Sequence, residues 1–493
     1  MSTLQDVISN SLSLTRAQLK ADNRALVMEI QTKLANLGFY PGGGWIDGDL
    51  GSLNSFSWKG LIDFCRRVGS VSIPSEDVAI NPDIALKLLE TKQVEQINSI
   101  LSAPGNTTLI FNKLKEIQNA SPIVNRNTPA SAFVARTINK SPFQTLINDY
   151  PAFLEQKPDG TFIISYGDSF TLSSGVTANF SDYPNRGIKP SIDETGLNFL
   201  SSNISHACVC VGSFTDSNSP IKTHWLGKKS IDKQQFYSVT KFIGVLNTIC
   251  QINKNYPNID VDDCVIESPK YRFNDLVKDM VKYQYEYGSS NAIGALFKRF
   301  IERPKLEQWI VEQTGNSGIK FLGAYGDNSL IANPKIKDTT TGKVILSSDG
   351  TGATGENLIS AYDLVRLISM LGWHLHLPET AKLPSAQWKS LESVVRAMGN
   401  DTARYVDVAL ETLGVVNVIS EPVIISKVGW GLGSMTYAAL VKFVDQRVTQ
   451  SKLRTFALAL RCPTPASDDR ERDTNLAVAV TEIVRRIINE ELA

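Results

Sequence analysis

At 493 residues the chain is too long for one hydrophobic core, so about two or three domains are expected. Its composition, 42% hydrophobic and 20% charged, is that of an ordinary globular protein. The 50 basic and 50 acidic residues cancel, which argues against nucleic acid as a partner because nucleic-acid-binding proteins usually carry a basic excess or stripe. No apolar run approaches the roughly 18 to 20 residues that a membrane span needs.

The N-terminal stretch MSTLQDVISNSLSLTRAQLK has no charged region followed by an apolar segment, so it is not a recognisable signal peptide. The six cysteines and four histidines form no CxxC pair and no other metal-ligand spacing. We therefore predict neither a metal nor a cofactor. Cys208 and Cys210 lie two apart in the strand-like run HACVCVG, which places both thiols on one face, and we expect them to be buried.

Residues 1–95 predict an N-terminal helical domain whose compact part begins at residue 26. Its three helices are expected in ALVMEIQTKLANLGFY, where Gly38 ends the apolar periodicity, in FSWKGLIDFCRRV, and in NPDIALKLLETK, which opens with an Asn-Pro start signal. A glycine-rich turn, PGGGWIDGDLGS, separates the first two helices. Residues 96–184 follow as a connecting segment with partial structure, in which QKPDGTFIISYGD predicts a hairpin with Asp-Gly at its turn.

From residue 185 the pattern becomes regular. A helix is expected in SIDETGLNFLSSN, then strands in HACVCVGSF and IKTHWLG, a largely helical stretch over 238–410, strands in VIISKVGWG, MTYAALVKFVD and TFALALRCP, and a helix in NLAVAVTEIVRRIINEEL. Strands from both ends of residues 185–493 around a helical middle predict one antiparallel sheet flanked by helices. The fold class is therefore α+β.

Ser238 stands three residues before Lys241, where an apolar helical run begins, and positions i and i+3 share one face of a helix. A serine hydroxyl is a poor nucleophile at neutral pH, so it needs a neighbouring group to take its proton. The sequence contains other SxxK patterns, at Ser230 in a charged connector and at Ser317 in a glycine-flanked turn. Ser238 is the candidate because a helix start also favours developing negative charge.

Two further motifs follow in order: Ser289-Ser290-Asn291 at the start of a predicted helix, and Lys427-Val428-Gly429 at the end of a predicted strand. The order SxxK, SxN, KxG resembles the serine β-lactamase and penicillin-binding protein superfamily. The resemblance covers roughly residues 185–493 and includes SAYDLVRLIS at 360–369. It implies a β-lactamase/transpeptidase-like catalytic domain there.

The resemblance assigns roles to four side chains. Ser238 would attack the acyl carbonyl and become acylated, and Lys241 would be the general base. Ser289 would relay a proton to the leaving nitrogen, and Asn291 would hold the substrate amide while contacting Lys241.

The same resemblance gives the KxG strand its roles. Lys427 would tune Ser289 and attract a carboxylate, with Val428 and Gly429 binding substrate and the backbone amides of Ser238 and Trp430 forming the oxyanion hole. The family usually has Ser or Thr in place of Val428, and its hydroxyl helps hold the substrate carboxylate. Valine at this position puts penicillin-like carboxylate recognition in doubt.

A second departure concerns hydrolysis of the acyl-enzyme. Class A β-lactamases use a glutamate in an ExxLN pattern for this step, and the nearest stretch here begins at Asp327, with a shorter acid and no asparagine. An acyl-enzyme without such a base hydrolyses slowly, as in penicillin-binding proteins.

The N-terminal helices resemble the peptidoglycan-binding domain of cell-wall hydrolases, through IQTKLANLGFY and the turn Asp47-Gly48-Asp49-Leu50-Gly51. The alternative is a helical module that only packs on its neighbour. A wall-binding module would hold a catalytic domain near its substrate.

Together these features predict a serine hydrolase, a D,D-peptidase acting on peptidoglycan stem peptides, located outside the cytoplasm although no signal peptide is recognised. One alternative is a β-lactamase hydrolysing β-lactams, and another is a catalytically weak or silent wall-binding protein. The expected partner is peptidoglycan, a peptide or a β-lactam. The oligomeric state is not indicated.

Overall fold

The computed structural model describes residues 3–37, 39–40, 46–53, 55–68, 71–91, 107–119, 132–348, 355–431, 433–447, 450–463 and 469–492. The chain forms two compact units: unit 1 comprises Met1–Leu109 and Leu410–Val418, and unit 2 comprises Ile110–Ala409 and Ile419–Ala493. In the ranges just given, no helix is both long and apolar enough to cross a bilayer.

Unit 1 is built from helices that enclose one hydrophobic core. Those within residues 3–91 are Leu4–Ser9, Arg16–Asp22, Arg24–Asn36, Phe56–Val68 and Pro82–Glu90. The three predicted helices are present, but the prediction of a three-helix domain was short by two. Thr3 and Thr15 start the additional helices with capping boxes, in which each threonine and the side chain three residues later bond each other's backbone amides.

Gln31 fixes the Asp-Gly turn of unit 1. Its Nε2 donates to Asp47 Oδ1 (2.9 Å), and its Oε1 accepts from Gly48 N (2.9 Å). Gly48 has φ 73°, a conformation that glycine adopts without strain. Gly38 and residues 41–45, which belong to the predicted helix end and glycine-rich turn, lie outside the described residues.

Unit 2 contains the strands. Numbered along the chain, they are β1 Ile163–Ile164, β2 Ser169–Thr171, β3 Thr177–Asn179, β4 Ser181–Asp182, β5 His206–Ser213, β6 Lys222–Lys228, β7 Gln234–Gln235, β8 Cys264–Ile266, β9 Lys320–Phe321, β10 Lys335–Asp338, β11 Val344–Ser347, β12 Asn357–Ile359, β13 Ile419–Gly431, β14 Ser434–Asp445 and β15 Ser451–Pro463.

A main sheet of seven described strands runs in the order β13–β14–β15–β5–β6–β4 with antiparallel pairing, and β1 adds a parallel pair to β15. Smaller sheets are β11–β10–β8, β7–β12–β9 and β2–β3. The predicted antiparallel sheet is therefore present, with one parallel pair that the sequence did not indicate.

The α-helices with most or all of their length in unit 2 are Thr107–Asn119, Tyr150–Glu155, Lys241–Asn255, Phe273–Lys282, Ser290–Phe297, Arg303–Thr314, Ala361–Gly372, Trp388–Met398, Tyr405–Leu413 and Asp469–Ile488. Helices Ala361–Gly372 and Asp469–Ile488 both pack on β14 and β15. Every residue of β14 is buried, as expected for a strand covered on both faces. These observations confirm the α+β class.

Residues 132–184 are part of the larger unit, which differs from the predicted boundary at residue 185. Tyr150 and Leu154 are buried in the same core cluster as Leu440 of β14. Residues 96–106 and 120–131 of the predicted connecting segment lie outside the described residues.

The predicted hairpin around Asp159-Gly160 is wrong. Asp159 Oδ1 accepts from the amides of Thr161, Phe162 and Ile163, which makes a tight turn, but the strand that follows pairs in parallel with β15. The hairpin of this region is β2–β3, further along the chain.

The helix expected in SIDETGLNFLSSN is also wrong, since residues 191–203 form turns. Asp193 Oδ1 accepts from Thr195 N (2.9 Å), and Asp193 N donates to Trp225 O (3.0 Å). Aspartate and threonine side chains compete with helical hydrogen bonds in this way. The segment is therefore held along β6 and does not form a helix.

All six cysteines are unpaired and buried, including Cys208 and Cys210 as predicted. Burial raises the pKa of the Cys65 thiol to about 12 and raises those of Cys208 and Cys210 well above the ordinary value. Among the described residues, no group of three His, Cys, Asp or Glu side chains is placed to hold a metal ion.

Candidate active site

Ser238 lies in the 3₁₀ turn Tyr237–Thr240, which runs directly into the helix Lys241–Asn255. Tyr237 has φ 50°, an uncommon conformation for a bulky residue. Thr240 Oγ1 donates to Tyr237 O (2.8 Å), which closes the turn. Strained backbone of this kind persists where the surroundings impose it, and it concentrates at functional sites. The half-buried serine is thus presented by a locally strained turn at a helix start.

Lys241 is buried one turn after Ser238, with 1% of its surface exposed. Its Nζ donates to Ser290 Oγ (2.9 Å) and to Asn291 Oδ1 (2.8 Å). The pKa of Lys241 is lowered to about 6, chiefly by burial and also by the nearby charge of Lys427, while Asp327 opposes the shift. The amine is therefore mostly neutral at pH 7.

The hydrogen bonds around Lys241 leave its nitrogen able to act as a base. A neutral amine has two N–H groups and one lone pair, and both N–H groups are used by Ser290 and Asn291. Ser290 Oγ itself donates to Met280 O (2.7 Å), so it can only accept from the lysine. The remaining lone pair can take a proton, which is the property that Ser238 needs in a neighbour.

The helix Ser290–Phe297 approaches Lys241 closely. A Cβ at Gly294 would lie 3.0 Å from Lys241 Cγ and 3.1 Å from Tyr325 Cδ2. The Tyr325 hydroxyl is 3.1 Å from Thr240 Oγ1 in the turn Tyr237–Thr240, which is called the serine turn below. The lysine stem therefore packs closely against Gly294 of the helix Ser290–Phe297, beside the Tyr325 ring.

Ser289 caps the helix Ser290–Phe297: its Oγ accepts from Ala292 N (3.0 Å) and donates to the carboxylate of Asp327. The hydroxyl is thus directed at Asp327. Its predicted role as a proton relay tuned by Lys427 stays a prediction.

Lys427 lies on β13 and is fully buried. Its Nζ donates to Tyr283 Oη (2.5 Å) and Val428 O (3.0 Å), and it stands 3.9 Å from the centroid of the Tyr283 ring. Lys241 is 5.6 Å from the same centroid. Tyr283 therefore connects the two lysines, and it was not among the site residues predicted from the sequence.

Strand β13 packs directly on the turn that carries Ser238. A Cβ at Gly429 would lie 2.4 Å from Phe236 O and 2.9 Å from Val239 N. Thr436 Oγ1 lies 2.8 Å from Phe236 O and 3.1 Å from Gly429 O, so its one hydroxyl hydrogen can bond to either carbonyl and holds the strand against the turn. Only glycine allows this approach at position 429.

Beyond Gly429, β13 continues along the serine turn. A Cβ at Gly431 would collide with the Tyr237 ring, and Trp430 between the glycines is 42% exposed. Since β13 is the edge strand of the main sheet, it presents backbone groups beyond those paired with β14. The oxyanion hole formed by the amides of Ser238 and Trp430 remains a prediction that this packing accommodates.

Val428 is 3% exposed. It was predicted to bind substrate, but its buried position leaves little of its side chain for a substrate. Its carbonyl oxygen accepts hydrogen bonds from Tyr283 and Lys427. The contribution of Val428 that the structure shows is therefore made through the backbone.

The other two SxxK serines have different surroundings. Ser230 is fully buried and its hydroxyl donates to Glu194 Oε1 (2.5 Å). Ser317 is exposed, and Lys320, three residues later, pairs with Glu356 (3.2 Å). Neither serine has a buried lysine one turn away.

A separate cleft of about 290 Å³ is lined by residues that include Asp182, Asp193, His224 and Trp225, near β4 and β6. It contains none of the predicted site residues. The candidate site is therefore assigned from the arrangement of side chains and not from the size of a cavity.

The chain is similar to several solved structures over part of its length. One is PBP-A, with 12% identity and a TM-score of 0.35, covering 58% of this chain and 92% of that one. Another is a class A β-lactamase representative from Bacteroides cellulosilyticus, with 12% identity, a TM-score of 0.34 and coverage of 58% and 92%. A third is a β-lactamase from Chitinophaga pinensis, with 14% identity, a TM-score of 0.34 and coverage of 57% and 94%.

No family model matches the sequence, and no curated protein matches it. The resemblance to class A β-lactamases and PBP-A is therefore structural and partial, and it extends over little more than half of the chain. These comparisons give no support to the resemblance predicted for the N-terminal helices.

Proposed function

We propose that the chain is a serine acyl-transfer hydrolase of the penicillin-binding class, a D,D-peptidase that acts on peptidoglycan stem peptides through an acyl-enzyme at Ser238. The observation that carries the proposal is the buried amine of Lys241, one turn after Ser238, whose two N–H groups are already engaged. Burial holds the pKa of this lysine at about 6, which suits a general base at neutral pH.

In the proposed reaction, Lys241 takes the proton of Ser238 as the hydroxyl oxygen attacks the acyl carbonyl. The amides of Ser238 and Trp430 stabilise the oxyanion, and Asn291 holds both Lys241 and the substrate amide. Ser289 passes the proton taken up by Lys241 to the leaving nitrogen as the scissile carbon–nitrogen bond breaks, which leaves the acyl group as an ester on Ser238. Water then hydrolyses the ester and regenerates the enzyme.

The test is intact-mass spectrometry after incubation with benzylpenicillin or an acyl-D-alanyl-D-alanine thioester analogue. We expect one adduct, mapped by peptide analysis to Ser238 and absent in Ser238→Ala. Ser317→Ala is the matched control, because Ser317 also has a lysine three residues later but lies exposed on a turn. An adduct that survives Ser238→Ala, or no adduct with any probe, would contradict the proposal; the second result would favour a silent wall-binding protein.

One observation favours β-lactamase activity as a second candidate. The Asp327 carboxylate accepts from Ser289 and acts electrostatically on Lys241, so a carboxylate is present where an acyl-enzyme could be hydrolysed. Sustained nitrocefin turnover that is lost in Asp327→Asn, with acylation of Ser238 retained, would favour this candidate. A stable adduct without turnover would favour the peptidase.

The N-terminal unit is proposed to bind peptidoglycan, on the strength of its sequence resemblance to wall-binding modules. Its Asp-Gly turn is fixed by Gln31, which gives the unit a defined surface at that point.

A further inference from the structure

The ammonium group of Lys427 is enclosed by the protein. None of the residue is exposed, two oxygens accept from its Nζ, and an aromatic face covers it. Burial raises the pKa of the Asp401 carboxyl group, and the charge of Lys427 is close enough to oppose that shift. Two of the three N–H groups of the ammonium are thus engaged, and the full burial of Lys427 leaves no exposed surface on which a further anion could bind.

The position of Tyr283 is fixed by the backbone around it. Tyr283 ends the helix Phe273–Lys282 in a left-handed conformation, with φ 56°, and its amide donates to Asp279 O. The Asp279 carboxylate accepts from the amides of Glu286 and Tyr287, which ties down the loop that follows. The ring is therefore held over Lys427 by several independent bonds.

The hydroxyl of Tyr283 is also engaged in hydrogen bonds. It accepts from Lys427 Nζ and donates to Val428 O (3.0 Å). The side chain of residue 428 is an apolar valine, so it offers no hydroxyl to an anion. Neither the Tyr283 hydroxyl nor the Val428 side chain thus offers a free donor to a carboxylate beside Lys427.

We propose that Tyr283 closes the anion position beside Lys427, so that the site takes acyl donors that are uncharged next to the scissile bond, neutral amides or esters, without preference for a carboxylate. This inference rests on the proposed acylation of Ser238 and narrows its substrate class: the free carboxylate next to the scissile bond of a terminal D-alanyl-D-alanine would contribute no binding, and an amide or ester in its place would be accepted equally well. Tyr283 acts as a specificity-determining residue and takes no part in proton transfer.

The experiment compares acylation of the full chain by benzylpenicillin and by its methyl ester, measured as second-order rate constants by intact mass. For the unmodified protein we expect a ratio of acid to ester rates within about threefold of one, because no charge-assisted hydrogen bond to the carboxylate is available. Tyr283→Gly removes the ring and suits the left-handed backbone. It should raise the ratio by roughly tenfold or more by exposing Lys427.

Tyr285→Gly is the matched control, since Tyr285 has φ 60° and is 65% exposed, two residues further on. It should leave the ratio unchanged. Tyr283→Phe keeps the ring over Lys427, so its ratio should stay within about threefold of the unmodified value, as removal of the hydroxyl alone opens no site.

Three results would overturn the inference. The first is a preference of the unmodified protein for the free acid of tenfold or more. The second is the loss of such a preference in Tyr283→Phe, which would make the hydroxyl a carboxylate donor. The third is an unchanged ratio in Tyr283→Gly while the methyl ester still labels Ser238. In each case the acyl-enzyme itself would stand. If neither probe labels any variant, the proposed function fails and this inference fails with it.

Discussion

The Lys241 amine links the rate of the proposed reaction to pH. Only the neutral amine can accept the serine proton, and burial lowers the pKa of Lys241 to about 6. Acylation should therefore fall about tenfold per pH unit below the pKa and be level above it. The measurement is the acylation rate constant between pH 4.5 and 9.

Lys241→Ala should remove this inflection and lower acylation by about 100-fold or more, because a positioned general base contributes at least that much. Thermal unfolding of the variant checks that the fold is retained. A rate in the unmodified protein that keeps rising about tenfold per pH unit up to pH 9 would mean that Lys241 is charged at neutral pH and is not the base.

At the scale of elements, the site depends on how β13 meets the serine turn. A methyl group at Gly429 would stand 2.4 Å from Phe236 O, 2.5 Å from Thr436 Oγ1 and 2.9 Å from Val239 N, so Gly429→Ala must separate strand and turn. A shift of about 1 Å in a catalytic arrangement can cost roughly 100-fold in rate. We expect a loss of that size in acylation of Ser238.

The readout for Gly429→Ala pairs the acylation rate with the midpoint of thermal unfolding. Because β13 is an edge strand that also pairs with β14 along most of its length, the variant should remain folded. A folded Gly429→Ala protein that acylates at the normal rate would show that the contact between strand and turn is not needed for the reaction.

The sequence predicted the elements whose signal is local or strongly hydrophobic. Strands β5 and β13–β15 are long buried runs, and the helix Phe56–Val68 has the predicted ends. The failed helix at 191–203 depended on hydrogen bonds between Asp193 and β6, which no local pattern reports. Tertiary hydrogen bonds to β6, and not local helix propensity, therefore determined the structure of that segment.

The same distinction applies to the site. The motifs identified Lys241 and Asn291, which the structure joins by a hydrogen bond. Tyr283 was missed because its partner Lys427 lies 144 residues away and its part in the site comes from a left-handed helix end. Several tyrosines in YQYEYGSSN are the one signal that could have drawn attention to it.

At the scale of the whole molecule, the N-terminal unit extends further than the resemblance suggested. Leu4, Val7 and Leu19, which precede residue 26, are fully buried in its core. We expect a fragment of residues 1–91 to unfold cooperatively, and residues 26–91 to be unstable, since losing one buried leucine side chain costs about 2–5 kcal/mol. Circular dichroism during thermal unfolding distinguishes the two fragments.

The folded fragment also serves to test the proposed wall binding. Residues 1–91 should pellet with insoluble peptidoglycan and remain in the supernatant without it. A folded fragment that does not pellet would contradict wall binding and leave the unit as a packing module. If residues 26–91 fold as stably as the longer fragment, the first two helices are dispensable.

The buried cysteines make the protein suitable for site-directed spectroscopy. All six thiols are buried, and burial raises the pKa of each, so little reactive thiolate forms at neutral pH. A cysteine introduced at exposed Tyr285 would therefore react with a maleimide dye ahead of the native thiols. Its fluorescence would report, in real time, whether the loop beside Tyr283 moves when an acyl donor enters.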